Sequence, residues 1–346
     1  MSDTHDIPEA QDTLEPPLGF DERRFLRAVR LKSASRVLLI AGILVALSWA
    51  TAFLGMDRWS AVTMREAVRI DRYYADFVAV TNPNTWILGD SVTRLHFPGA
   101  SNDYASFRLI GGRPVPAGVR SVDFGAWSVE YPRGYDERLT GSGDRIFSGN
   151  ELIPELRIVH PGARDDTYLD ESGLRARDII GEFDRITDES LARLASTPPS
   201  YTAEVAFSFD RLLTLEELLS FAGPETTLAW GAVSVWEPTD MPPLPLINAG
   251  SMVGVPFAAP DITFGSVGHK TPEGAEEQLP KTLRNIATLS KLSVASRALD
   301  AAEVIERDGV RYYGVVLTGP PAAMLKLAED SHVTGVCYGL SVGVWE

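Results

Sequence analysis

Trp86 to His96 read WILGDSVTRLH, and the Gly89-Asp90-Ser91 triplet after three apolar residues has the local look of a hydrolase nucleophile turn. Such a serine works at the end of a strand with a helix behind it, so that backbone N–H groups gather around the developing oxyanion. Here the continuation is VTRLHFPGASND, and Pro98 and Gly99 leave no helix of useful length. The chemistry also needs a histidine oriented by a carboxylate. Of the five histidines only His332 has an acid three residues ahead of it, Glu329, and it falls in a helix-to-strand connection. A Gly-Asp-Ser-type hydrolase at Ser91 is therefore the remotest reading of this chain.

The other reactive side chains read as structural. Histidines 5, 96, 160, 269 and 332 are dispersed, and none has the helical spacing of a zinc-binding pair. The single cysteine, Cys337 in TGVCYG, allows no intrachain disulfide and no Cys-based zinc site, and its setting is that of a small buried hydrophobe. Glu216 and Glu217 lie at a helix start, where carboxylates favour the dipole. Trp127, Trp230 and Trp236 are expected in the core. No catalytic residue, cofactor or metal is expected. A formal net charge of -15 opposes binding of a phosphate backbone, so nucleic acid is not expected as a partner.

The elements around these residues begin with a membrane segment. Val37 to Met56, VLLIAGILVALSWATAFLGM, carries no charge. At about 1.5 Å per residue a helix of this length spans the roughly 30 Å hydrocarbon layer. Trp49 and Trp59 suit the interfacial aromatic belt. The segment is too long, and too far from the N-terminus, for a standard signal peptide, and no small-residue cleavage site follows it. Before it, RRFLRAVRLKSASR holds Arg23, Arg24, Arg27, Arg30, Lys32 and Arg36 and no acid, which places this flank in the cytoplasm. Phe25, Leu26, Val29 and Leu31 between the charges also suit the run to an anionic leaflet or an acidic partner. The acidic first 22 residues read as a disordered tail.

Beyond the membrane segment, MDRWSAVTMREAVRIDRYYADFVAV has helical apolar spacing and reads as a stalk helix over 57–80. TWILG, YASFRLIGG, GVRSVDFGAW and ELRIVHPG then read as short strands, followed by helices in RARDIIGEFDRI and DESLARLAS. AEVAFSFD is a strand, and Thr214-Leu-Glu-Glu217 is a capping box opening the helix LEELLSF. TTLAWGAVSVWE is a second strand, and the Pro- and Gly-rich stretch 237–274 a long loop that contacts a ligand or is disordered. One helix is expected over 281–307, then the strand VRYYGVVLTG, the helix PPAAMLKLAED and the strand VTGVCYGLSV. This order resembles a split βαβ arrangement of ferredoxin-like kind.

Phe207-Ser-Phe-Asp210 with Leu213-Thr-Leu-Glu-Glu-Leu218, and Tyr313-Gly-Val-Val-Leu-Thr-Gly-Pro320 with Leu325-Lys-Leu327, resemble the C-terminal domain of the sigma factor regulator family, membrane-anchored anti-sigma-like proteins of Gram-positive bacteria. Gly19-Phe-Asp-Glu-Arg-Arg-Phe-Leu26 is similar to that family's N-terminal module. Asn82-Pro-Asn-Thr85 and Gly112-Arg-Pro-Val-Pro116 also match family positions. The resemblance implies a regulator that restrains an extracytoplasmic-function sigma factor in response to an envelope signal. About 36 residues precede the membrane, enough for one short helix, and no His-x-x-x-Cys-x-x-Cys zinc motif is present.

The sequence thus predicts a single-pass membrane protein with an α+β extracytoplasmic region. Its expected divisions are a cytoplasmic tail with basic flank over 1–36, a transmembrane helix over 37–56, the stalk over 57–80, a strand-rich membrane-proximal region over 81–198, and an α/β regulator-like domain over 199–346. Its expected partners are a sigma factor or another small membrane protein, and the alternative reading is a non-catalytic envelope scaffold or partner subunit of a membrane complex.

Overall fold

The computed structural model describes residues 21–96, 99–125, 156–161, 176–235, 253–257, 271–289 and 293–343. The chain divides into two compact units between Trp59 and Ser60. The first unit is built on helix α1 (Glu22–Thr81). Asp21 starts it, its Oδ1 accepting the Arg24 N–H at 3.1 Å and so satisfying one of the open donors of the first turn. Every residue from 37 to 56 is exposed, including Leu38, Leu44 and Phe53. Among the described residues this is the one helix long and apolar enough to cross a membrane.

In the second unit, the rest of α1 turns Ala67, Ile70, Tyr74 and Val78, at steps of three and four, onto a three-stranded antiparallel sheet. The sheet is formed by β1 (Thr85–His96), β2 (Gly99–Ile110) and β3 (Arg113–Gly125), in that order. Gly111 and Gly112 both adopt positive φ, the requirement of a two-residue hairpin turn that matches strand twist. Behind this packing, Asp71 Oδ1 accepts from Tyr104 Oη at 2.6 Å and Asn102 Nδ2 at 2.9 Å, tying helix to sheet.

Helix α2 (Ala176–Ser196) leads into the larger sheet. Its strands are β4 (Tyr201–Leu213), β5 (Thr227–Val233), β6 (Val253–Pro256), β7 (Tyr312–Gly319) and β8 (Val333–Gly343). They run in the order β6-β5-β7-β4-β8 with every neighbouring pair antiparallel. Strand β4 has both faces buried and still obeys the pleat. Ala203, Val205, Phe207 and Phe209 enter a core shared with α3 (Leu215–Ala222), α4 (Pro272–Leu289), α5 (Ser293–Asp308) and α6 (Pro321–Ala328). Ala206 faces the other way, with Trp230, Tyr313 and Cys337, against Leu156 and Ile158.

Several local expectations change. The two helices expected over the 176–196 stretch are one, α2. The single helix expected over 281–307 is two, α4 and α5, and α4 starts at Pro272 and passes through Pro280. Burial of Ala275, Leu279, Leu283 and Ile286 on the sheet offsets the backbone bond that the proline removes. Leu156–His160 is not a strand: it packs Leu156, Ile158 and Val159 onto the sheet as irregular chain. The loop expected over 237–274 contains β6, which pairs with β5 from Trp230↔Pro256 to Val233↔Val253.

Candidate functional site

The flanking cations Arg23, Arg24, Arg27, Arg30, Lys32 and Arg36 all lie on exposed positions of α1. Arg24 Nε meets Asp21 Oδ2 at 3.1 Å, and Leu26, Val29 and Leu31 are exposed among the charges. The surface is both basic and apolar, which suits it to an anionic partner with an apolar groove.

Ser91 lies within β1, its backbone paired with Tyr104 just after an irregularity of register at Ile87. A second strand, and no helix, follows. His332 Nδ1 is 3.1 Å from Asp210 Oδ1, an exposed pair that joins the start of β8 to β4. The capping box is present at α3: Glu217 accepts from Thr214 N at 2.8 Å, and that bond, helped by Arg211, lowers its carboxyl to about 2. Cys337 is buried in β8, its Sγ accepting the Arg157 N–H at 3.4 Å, and burial raises its thiol pKa. Trp230 is in the core, whereas Trp127 and Trp236 lie outside the described residues.

Among the described residues of the second unit, a heavily built polar site is the junction between the end of α1 and the larger sheet. Pro83 follows the helix and has no N–H to give to the carbonyl of Ala79 four residues back. The Trp230 indole of β5 fills that role, Nε1 donating to Ala79 O at 3.0 Å from 151 positions away. In the turn, Asn84 takes φ 46°, a conformation asparagine tolerates better than most residues. Its Nδ2 donates to Leu109 O at 2.9 Å and to Glu204 Oε1 at 2.6 Å. Glu204 Oε2 accepts Arg108 Nη1 at 2.9 Å.

Glu204 is 0% exposed and Arg108 7%. A carboxylate at such depth requires its partners, because leaving a buried charge uncompensated costs about 3–5 kcal/mol. The space is set by Gly339 of β8, where a Cβ would stand 2.2 Å from Glu204 Oε2. Among the described residues Arg108 Nε has no hydrogen-bond partner, and Nη1 makes the bond to Glu204. Sequence reasoning placed Asn82-Pro-Asn-Thr85 and Trp230 and missed their meeting. The signal present was a proline just past a helix end, which announces a carbonyl in need of a donor.

Beside the sheet, α2 runs along the β8 edge. Thr187 Oγ1 accepts Val336 N at 3.1 Å and Ser190 Oγ accepts Tyr338 N at 3.0 Å, so hydroxyls close an otherwise open strand. Phe183 fills the space that Gly335 leaves, with one ring carbon 2.0 Å from where a Cβ would be. An outer cleft of about 240 Å³ there is lined by Arg157, Glu182, Arg185, Glu189, Arg193 and Tyr338 among others. Arg157 pairs with Glu182 at 2.8 Å, and Arg193 lies 5.0 Å over the Tyr338 ring. Among the described residues no group of three or more His, Cys, Asp or Glu side chains could hold a metal ion.

Residues 194–339 match the family described as sigma factor regulator C-terminal. The match contains both motif pairs on which the resemblance rested in this region, Phe207–Leu218 and Tyr313–Leu327. No curated protein and no solved structure matches the chain.

Proposed function

We propose that this chain, whose residues 194–339 match the family described as sigma factor regulator C-terminal, is a membrane-anchored anti-sigma-like protein that restrains an extracytoplasmic-function sigma factor until an envelope signal releases it. The single observation that carries the reading is the family match. The apolar stretch 37–56 of α1 supports the anchor, since its exposed side chains are stable only in an apolar medium. The basic run Arg23, Arg24, Arg27, Arg30, Lys32 and Arg36 supports a cytoplasmic N-terminus that offers the sigma factor a cationic, partly apolar helix. The outer domain, in this reading, has the ferredoxin-like split βαβ arrangement with β6 added at its edge, and it senses or docks a component of the envelope. The chain performs no catalysis in this account.

The test is co-purification of the full chain with each co-expressed sigma factor, paired with transcript profiling of a deletion strain. The expected outcome is one stable sigma complex, weakened at least tenfold when Arg23, Arg24, Arg27 and Arg30 are replaced by glutamate, and a raised regulon in the deletion strain. A stable complex with another membrane protein and unchanged transcription at every sigma-dependent promoter would sink the regulatory reading in favour of a scaffold.

A further inference from the structure

We infer that Trp230 couples edge strand β6 to the end of α1, so that a displacement of β6 releases the last turn of that helix. The coupling depends on three contacts within the second unit. First, the buried carbonyl of Ala79 takes its hydrogen bond from the Trp230 indole, because Pro83 cannot supply one. Second, the same indole lies against Gly254 of β6. A Cβ built there would fall 2.0 Å from Cζ2 and 2.3 Å from Cε2, the ring carbon bonded to the donating nitrogen. The wall that holds the N–H in line is therefore the backbone of β6. Third, among the described residues β6 is the shortest strand of the sheet, stands at one end of it, and pairs with β5 alone, through Trp230↔Pro256, Gly231↔Val255, Ala232↔Gly254 and Val233↔Val253.

The shortest strand thus backs a tryptophan that completes a helix end. A bulkier group at 254, or an outward shift of β6, moves the indole and leaves Ala79 O buried without a donor. The opposite grip on the same turn, Asn84 on Glu204 of β4 and on Leu109 O of β2, keeps the domain in place while the helix end loosens. The coupling goes beyond the sigma factor reading and does not require it; under that reading it gives the outer domain a way to act on the helix that carries the anchor.

Amide hydrogen exchange on the full chain in detergent micelles tests it. Trp230→Phe, which keeps a ring and removes the donor, is expected to speed exchange over residues 76–85 roughly tenfold, the equivalent of one buried unpaired carbonyl, with β4 and β7 still protected. Gly254→Ala, a change made in β6, is expected to speed exchange over the same residues 76–85. The double variant is expected to go no further there than Trp230→Phe alone. Acceleration confined to β5 and β6 in Gly254→Ala overturns the coupling, as does an additive double variant. Unchanged protection of 76–85 in Trp230→Phe overturns it too. Should Trp230→Phe lose the protection of β4 and β7, the comparison of Gly254→Ala with the parent chain decides alone.

Discussion

At the level of single residues, the second unit relies on buried polar groups whose partners come from far along the chain. Glu204 with Arg108 and Asn84, and Trp230 with Ala79, are the strongest cases. The half-buried His160 also finds distant partners: its Nε2 lies 3.2 Å from Ser234 Oγ and its ring meets Tyr313 edge-on at 4.9 Å between centroids. Burial pushes the imidazole down from 6.5 to about 4. Between those two values the unfolded chain takes up a proton that the folded chain refuses, so this group's contribution is complete above about 6.5 and is lost as the pH falls towards 4. Urea unfolding of the purified chain at pH 7 and pH 5 is expected to show lower stability at pH 5. His160→Gln should reduce that difference, and an equal pH effect in the variant would assign it to other groups. Motif spacing could not have marked His160, because its depression comes from the depth of an irregular segment that packs only in the folded sheet.

At the scale of elements, the sheet's two ends are closed differently. The short β6 ends one side, and at the other the helix α2 satisfies β8 through side chains. Among the described residues, backbone donors pointing away from β4 at Val336 and Tyr338 have no strand to pair with, and Thr187 and Ser190 hydroxyls take the place of carbonyls. Thr187→Val keeps the shape of the side chain and removes the acceptor. It is expected to cost about 1–3 kcal/mol in urea unfolding and to speed exchange of the Val336 amide, and unchanged protection there would show that the hydroxyl is dispensable. The helical periodicity of 176–196 was readable, as were the capping box at Thr214 and the alternation along β4. The start of α4 at Pro272 was not, because Pro280 acts as a stop signal in isolation while burial on the sheet carries α4 through it. Strand β6 is four residues of Val, Gly and Pro in a loop-like composition, and it becomes a strand only because β5 offers it an edge.

For the whole molecule, the proposed function joins the family match over 194–339 to the apolar helix segment 37–56 as a regulatory outer domain on a membrane anchor. In that reading, reporter fusions after residue 81 should be active on the outer side of the membrane and fusions at residue 20 on the inner side. The full chain should also stay with the membrane after alkaline extraction. A reporter that is active in the cytoplasm after residue 81 would reverse the assigned topology and remove the envelope signal from the account. Composition and local pattern by themselves determined the apolar helix, its basic flank, the strand–helix–strand units β4-α3-β5 and β7-α6-β8 and the resemblance to the regulator family, because each is written in contiguous residues. Only the tertiary structure decided that Pro83, Asn84, Arg108, Glu204, Trp230 and Gly254 form one junction. The partners in its hydrogen bonds are separated by up to 151 positions, and no local periodicity records which buried donor will meet which buried acceptor.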